Sequence, residues 1–258
     1  MTRQQWQGWG PGEQPEQHYL ISPRSLAGGG DIRHVRDYLL ASGWADRTRR
    51  AGPLHLVSPD RTLQVGYDAH VLPGGWTVHS AAHGHQPEWV AVFGRQTPVE
   101  IVAGLTDALA LPRSALAPDV WVPLMKQGWQ LSTTVGSTTA TSRSGARVQF
   151  LHRAGEEAMW WADARGWRAS FTSATPLHLI AGFATAMADP EPVLRPLGHA
   201  PHGPSITATP VSVLPSQLGA WRQTRIAAAR ANAWARNSPT PKTSSPAPAQ
   251  NKPQRTGR

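Results

Sequence analysis

With 258 residues and no cysteine, the chain suits one large or two small folded units and can form neither disulfides nor thiolate metal sites. No stretch approaches the ~20 apolar residues that span a bilayer, and no apolar run follows a basic start, so the expectation is a soluble, cytoplasmic protein with no membrane partner. The net charge of +9 is uneven: residues 31–190 hold 14 Lys+Arg against 13 Asp+Glu, and residues 191–258 hold 9 against Glu191 alone, so composition alone leaves only the tail as a phosphate-binding region.

Asp31 follows three glycines and is placed to cap a helix whose apolar stripe is Ile32, Val35, Leu39 and Leu40. Gly43 ends it and Trp44 turns into the next element. Leu54–Val57 reads as a strand, and Ser58-Pro59-Asp60-Arg61 as a turn with proline at its second position. Alternation predicts strands at Leu63–Tyr67, from Trp76, and at Trp89–Phe93. Thr97 is the expected N-cap of a second helix, with Pro98 at its first position and Glu100 closing a capping box.

The same series then repeats. Thr97-Pro98-Val99 through Gly104-Leu105 recurs as Thr175-Pro176-Leu177 through Gly182-Phe183, a shift of 78 positions. Gly43-Trp44 recurs as Gly128-Trp129, and Trp76 is matched with Trp161, both at a shift of 85. The seven-residue change of shift falls between Trp76 and Trp89 and predicts that the copies differ most at residues 79–88. Trp167 pairs with Trp89, and rings at repeated positions are expected in the core. Gly104 and Gly182 both sit mid-helix, where glycine costs about 1 kcal/mol, so each is expected at a close helix approach to the sheet or to the other copy's helix. Pro123 shortens the second copy's first helix, and His178 replaces Glu100.

The fold class is therefore α+β, with two tandem α-β-β-β-β-α modules at residues 19–112 and 113–190, each an antiparallel sheet with flanking helices. Residues 191–258 divide into a Pro-rich linker at 190–215, an Ala-rich basic helix at 216–236 and a disordered C-terminal tail. Since the repeat closes near Met187, deleting 191–258 is expected to leave folding unchanged.

The run Leu26-Ala27-Gly28-Gly29-Gly30-Asp31, then Gly43-Trp44, His55-Leu56-Val57-Ser58-Pro59-Asp60, Trp89, Phe93 and Thr97–Val102 resembles the SPDY domain, domain of unknown function 317. That resemblance covers residues 19–190 and implies two copies and an actinobacterial, streptomycete-type source. It implies no activity. The namesake tetrad reads Ser58-Pro59-Asp60-Arg61 here and is matched with Arg143-Ser144-Gly145-Ala146 in the second copy.

No chemistry emerges from the motifs. His79, His83 and His85, with Glu88 and His70 nearby, are types that could hold zinc, but their spacing matches no closed motif and the second copy lacks them. No phosphate-binding glycine loop is present. The chain is read as no enzyme, without catalytic, cofactor-binding or metal residues. The best reading is a non-enzymatic interaction module with a protein partner. The alternatives are a nucleic-acid accessory protein binding through Trp221, Arg222, Arg225, Arg230, Trp234 and Arg236, and a metal-dependent enzyme at the His-rich loop.

Overall fold

A computed structural model describes residues 13–71, 74–111 and 118–237. The expected tail beyond 237 and the module boundary at 112–113 lie outside the described residues, as does the side chain of Arg236.

The chain opens with β1 (Glu16–Ser22) and a 3-10 turn (Arg24–Leu26). It continues as α1 (Arg33–Ala41), β2 (Ala45–Asp46), β3 (Leu54–Val57), β4 (Leu63–Asp68), β5 (Gly75–Ser80), β6 (Trp89–Gly94) and α2 (Val99–Ala110). The second half is α3 (Trp121–Lys126), β7 (Gln130–Thr134), β8 (Ser137–Thr141), β9 (Arg147–Leu151), β10 (Met159–Ala164), β11 (Trp167–Thr172) and α4 (Leu177–Ala188). It ends with β12 (Val193–Pro196), β13 (Thr207–Val213) and α5 (Pro215–Asn237).

Local chemistry explains several boundaries. Asp31 Oδ1 accepts the Arg33 N–H at 3.0 Å as α1 begins, which satisfies a donor the helix itself cannot. Gly43 follows α1 at φ +94°, a left-handed conformation that favours glycine. The capping box at α2 does not form. Pro98 is the N-cap, with no side-chain cap, and Thr97 Oγ1 is buried without a hydrogen bond. Glu100 is drawn away into an ion pair with Arg195.

Each half is a helix, five strands and a helix, one strand more than expected. The additions are β2 and β7, which lie at the two edges of a ten-stranded antiparallel sheet ordered β2-β3-β4-β5-β6-β11-β10-β9-β8-β7. Periodicity could not reveal them: β2 has two residues and all of β7 is exposed. At the centre, Ala91 faces Phe171, Val92 faces Ser170 and Phe93 faces Ala169. Those are repeat-equivalent positions in reverse order, so a local pseudo-twofold axis passes between Val92 and Ser170. Gly104 of α2 and Gly182 of α4 meet on the same axis: a Cβ on Gly104 would lie 2.6 Å from Gly182 O, and one on Gly182 would lie 2.5 Å from Gly104 O. Of the two close approaches expected for these glycines, helix against helix is the one observed.

One sheet face carries the core. Trp76, Val78, Trp89, Ala91, Phe93, Trp160, Ala162, Trp167, Ala169 and Phe171 are buried with the apolar sides of α1, α2 and α4. Phe93, Phe171 and Phe183 form an aromatic knot, with ring centroids 5.0–5.7 Å apart. Trp44 and Trp129 are buried as expected. The pairing of Trp76 with Trp161 is corrected by register. Trp76 faces Phe93 and Trp160 faces Phe171, so Trp160 is the counterpart. Trp161 points to the opposite face, half-buried, with the Arg168 guanidinium 5.7 Å from its ring.

Residues 190–215 are not simply a linker. β12 and β13 flank β1 in a separate three-stranded sheet. Pro210 is accommodated because β13 is an edge strand. The first boundary, at 19, falls inside β1. Deleting 191–258 would remove two of these three strands, so unchanged folding is no longer the expectation.

Candidate functional site

The Ser-Pro-Asp turn is held by its own side chains. Ser58 Oγ donates to Asp60 Oδ1 at 2.5 Å and accepts the Leu63 N–H at 2.9 Å. Asp60 also accepts the Thr62 N–H at 3.1 Å. Burial raises the Asp60 carboxyl, but these hydrogen bonds outweigh it and hold the group below the usual range. In the second half Ser142 and Ser144 bond at 2.9 Å, and Ser142 Oγ accepts the Ala146 N–H at 3.0 Å. The counterpart of Ser58-Pro59-Asp60-Arg61 is therefore Ser142-Arg143-Ser144-Gly145, one residue before the match made from sequence. Arg61 and Gly145 both have positive φ, 62° and 84°. The signature is a turn lock, built once with a carboxylate and once with a hydroxyl.

The histidine-rich segment is a small hairpin. His83 and Gln86 exchange backbone hydrogen bonds at 3.0 Å each, and His79 Nε2 lies 2.7 Å from Glu88 Oε1. Among the described residues, no group of three or more His, Asp or Glu is arranged to hold a metal ion. The zinc alternative therefore has no gathered ligand set there.

This hairpin walls a cleft of about 540 Å³. Its other walls are Asp60, Thr62 and Leu63 of the turn, Trp89 of β6, Ala108, Leu109 and Leu111 at the end of α2, and Pro176, His178 and Leu179 at the start of α4. The pseudo-twofold axis relates this cleft to a second place, where the end of α4 meets the start of α2. That second place is filled by the chain itself. Trp167 Nε1 donates to Ser25 O at 2.8 Å, and the Val99 N–H donates to Gly29 O at 2.6 Å. Arg24 binds Asp189 at 2.9 Å and reaches Ala186 O at 3.4 Å.

Arg195 of β12 locks that filled cleft. It is 3% exposed, and its guanidinium grips Glu100 at 2.7 and 2.8 Å. It also donates to Ala27 O at 3.0 Å and Gly28 O at 2.9 Å. Burial raises the Glu100 carboxyl, and the Arg195 hydrogen bonds and charge more than reverse this.

The basic helix α5 forms close to its expected span and docks on α1 and α2. Arg225 binds Asp107 at 2.7 Å, donates to His34 O at 3.2 Å and lies 4.4 Å over the Tyr38 ring. Arg222 reaches Asp31 at 3.5 Å. Ala229 is buried, whereas Trp221 and Trp234, the expected anchors, are 57% and 75% exposed. Two of the four helix arginines thus face carboxylates of the fold, and Arg230 is exposed.

Burial and the Arg225 charge push His34 down to about 4. The unfolded chain takes up this proton near pH 6.5 and the folded chain only near pH 4. The stability at stake is therefore complete above pH 6.5 and is lost as pH falls toward 4, by about 3 kcal/mol at most. His34→Gln should flatten this limb in urea titrations between pH 7 and 4. An unchanged slope would assign the acid sensitivity elsewhere. The Glu100 contribution is lost at lower pH, as its depressed carboxyl protonates.

Sequence reasoning missed Arg195, the role of residues 24–30 and the clefts. The visible signals were the replacement of Glu100 by His178 and an arginine within Val193-Leu194-Arg195. No curated protein and no solved structure matches the chain. The SPDY family, a domain of unknown function (DUF317), matches residues 57–115 and 141–193. These segments carry the Ser-Pro-Asp turn and its Ser142 counterpart through to the paired helices, and the match in two segments is consistent with two copies of the SPDY domain.

Proposed function

We propose that the chain is a non-enzymatic interaction module whose partner docks in the cleft between the histidine hairpin and the start of α4. One observation carries this reading: among the described residues, one of two symmetry-related clefts is filled by residues 24–30, and the other keeps about 540 Å³ of space. Its walls join apolar Leu111 and Leu63 to polar groups already held by neighbours, as Asp60 is by Ser58. Such a lining favours binding over acid–base chemistry.

A nucleic-acid role for α5 retains less support, because Arg222 and Arg225 are engaged by Asp31 and Asp107. With Arg230 the exposed one among the described arginine side chains of α5, a contact to phosphate through it alone would give a log–log salt slope of about −0.9, against about −3.6 for all four.

The reading is tested by the binding of a native partner to the full chain and to Leu111→Glu. The cleft variant should lose the partner, while Arg230→Ala keeps it. A partner indifferent to Leu111→Glu but lost with Arg230→Ala and rising salt would move function to the helix.

A further inference from the structure

Among the described residues, the two sheets end in four edge strands: β2, β7, β12 and β13. An edge offers unpaired backbone groups to any strand that meets it, and proteins blunt edges with shortness, charge or proline. β2 has two residues, and its Asp46 is held by Arg36. β12 turns the charge of Arg195 inward, and β13 carries Pro210. β7 has none of these devices. Gln130-Leu131-Ser132-Thr133-Thr134 has five residues, no charge and no proline, and it pairs with β8 one to one, without a bulge. The chain is described without a break from 118 to 237, so the strand, its turn and its neighbours β8 and β9 are all placed.

Register shows which backbone groups of β7 face outward. The His152 N–H donates to Gly136 O, so β8 turns Thr138 and Ala140 toward β9, and Ser137, Thr139 and Thr141 toward β7. Their opposites on β7 are Thr134, Ser132 and Gln130. The N–H and C=O of Leu131 and Thr133 therefore point away from the sheet, and among the described residues they have no hydrogen-bond partner. These groups sit symmetrically about Ser132. A second β7, related by a twofold axis at Ser132, sets each Leu131 opposite the partner's Thr133 and closes four N–H···O=C bonds. Such an axis also sets each residue near it against its own copy, so a charge there would repel itself. In a chain of net charge +9, neither β7 nor β8 carries a charged residue. The Leu131 side chain, 40% exposed, gains an apolar neighbour in the methyl group of the partner's Thr133.

We propose that two copies of this chain pair antiparallel along β7, about Ser132, and so join their ten-stranded sheets into one. Five residues a side make a small interface, so the dimer is a weak one. Sedimentation velocity of the full chain from about 10 μM to about 1 mM, the range of weak association, reads it. The dimer fraction should rise with concentration, and hydrogen exchange at the Leu131 and Thr133 amides should slow in step. Thr133→Pro removes an outward N–H that the β8 ladder does not use, on an edge where proline is accommodated. By symmetry it deletes two of the four bonds, and it should weaken pairing at least about tenfold. Ser132 is exposed, and Ser132→Lys and Ser132→Glu each set like charges across the axis. Each of these proteins alone should stay monomeric. Mixed in equal amounts they should associate again, which a folding defect could not produce. A native chain that is monomeric throughout overturns the proposal. So does association that Thr133→Pro and Ser132→Lys both leave intact, or a mixture that stays monomeric. Protection of both amides that is independent of concentration would give the edge to another part of the same chain and overturn the dimer. Leu111→Glu should dimerise like the native chain, so this proposal and the cleft reading fail separately.

Discussion

Replacing Arg195 with alanine should cost the folded state about 3 kcal/mol, because it leaves the Glu100 carboxylate, only 18% exposed, without its partner. The guanidinium also satisfies the carbonyls of Ala27 and Gly28, which would lose their donors together. Urea unfolding of the full chain measures the effect, and a loss under 1 kcal/mol would show that the pair is dispensable. The partner substitution separates charge from packing. Glu100→Gln leaves a neutral acceptor near the arginine and should cost less than Arg195→Ala. The double variant Arg195→Met/Glu100→Met should recover part of the loss, since apolar groups of similar volume often replace buried ion pairs without penalty. The consequence reaches beyond stability. Arg195 holds residues 27–29 against the start of α2, so its loss should loosen the segment that fills the cleft between the end of α4 and the start of α2. Hydrogen exchange at the Val99 amide should then quicken.

The legible parts of the fold were those where one residue imposes one local outcome. Alternation placed β3 through β6 to within a residue or two, because a buried strand face has period two and no competing pattern. Gly43 and Gly128 marked helix ends because both adopt positive φ. The repeat anticipated the order of elements in both halves, and the glycine pair marked a close approach without deciding between sheet and helix. Edge strands were illegible for the complementary reason. The all-exposed β7 has no buried face to impress on its sequence. The counterpart of Trp76 was misread by one position because adjacent Trp160 and Trp161 offer identical letters on opposite faces, and only register distinguishes them. β12 and β13 were hidden by distance: their partner, β1, lies near the other end of the chain. The candidate site was less legible still. Its walls come from segments far apart in the chain, Asp60 to Trp89, the end of α2 and the start of α4, and neither composition nor spacing encodes that they meet.

Gly104→Ala should destabilise the protein by about 2–3 kcal/mol, against the direction of its own helix propensity. In an exposed helix the same change gains about 1 kcal/mol. Gly219 in α5 provides that reference, since a Cβ there meets nothing within 4 Å. Gly219→Ala should raise stability by roughly 0.5–1 kcal/mol. At Gly104 the new methyl would lie 2.6 Å from Gly182 O and would also strike the Ala186 side chain. The obstructing Gly182 group is backbone and cannot turn aside like a flexible side chain, so α2 and α4 must separate, losing contacts along their length. Gly182→Ala should behave alike because the axis makes the contact reciprocal. The double variant should cost less than the sum, since helices already separated by one methyl admit the second more easily. Urea midpoints of the four proteins decide the matter. If Gly104→Ala stabilises as Gly219→Ala does, the helices are not in contact at these glycines, and the join between the halves rests on the β6–β11 pairing and the packing of Phe93 on Phe171 and Phe183.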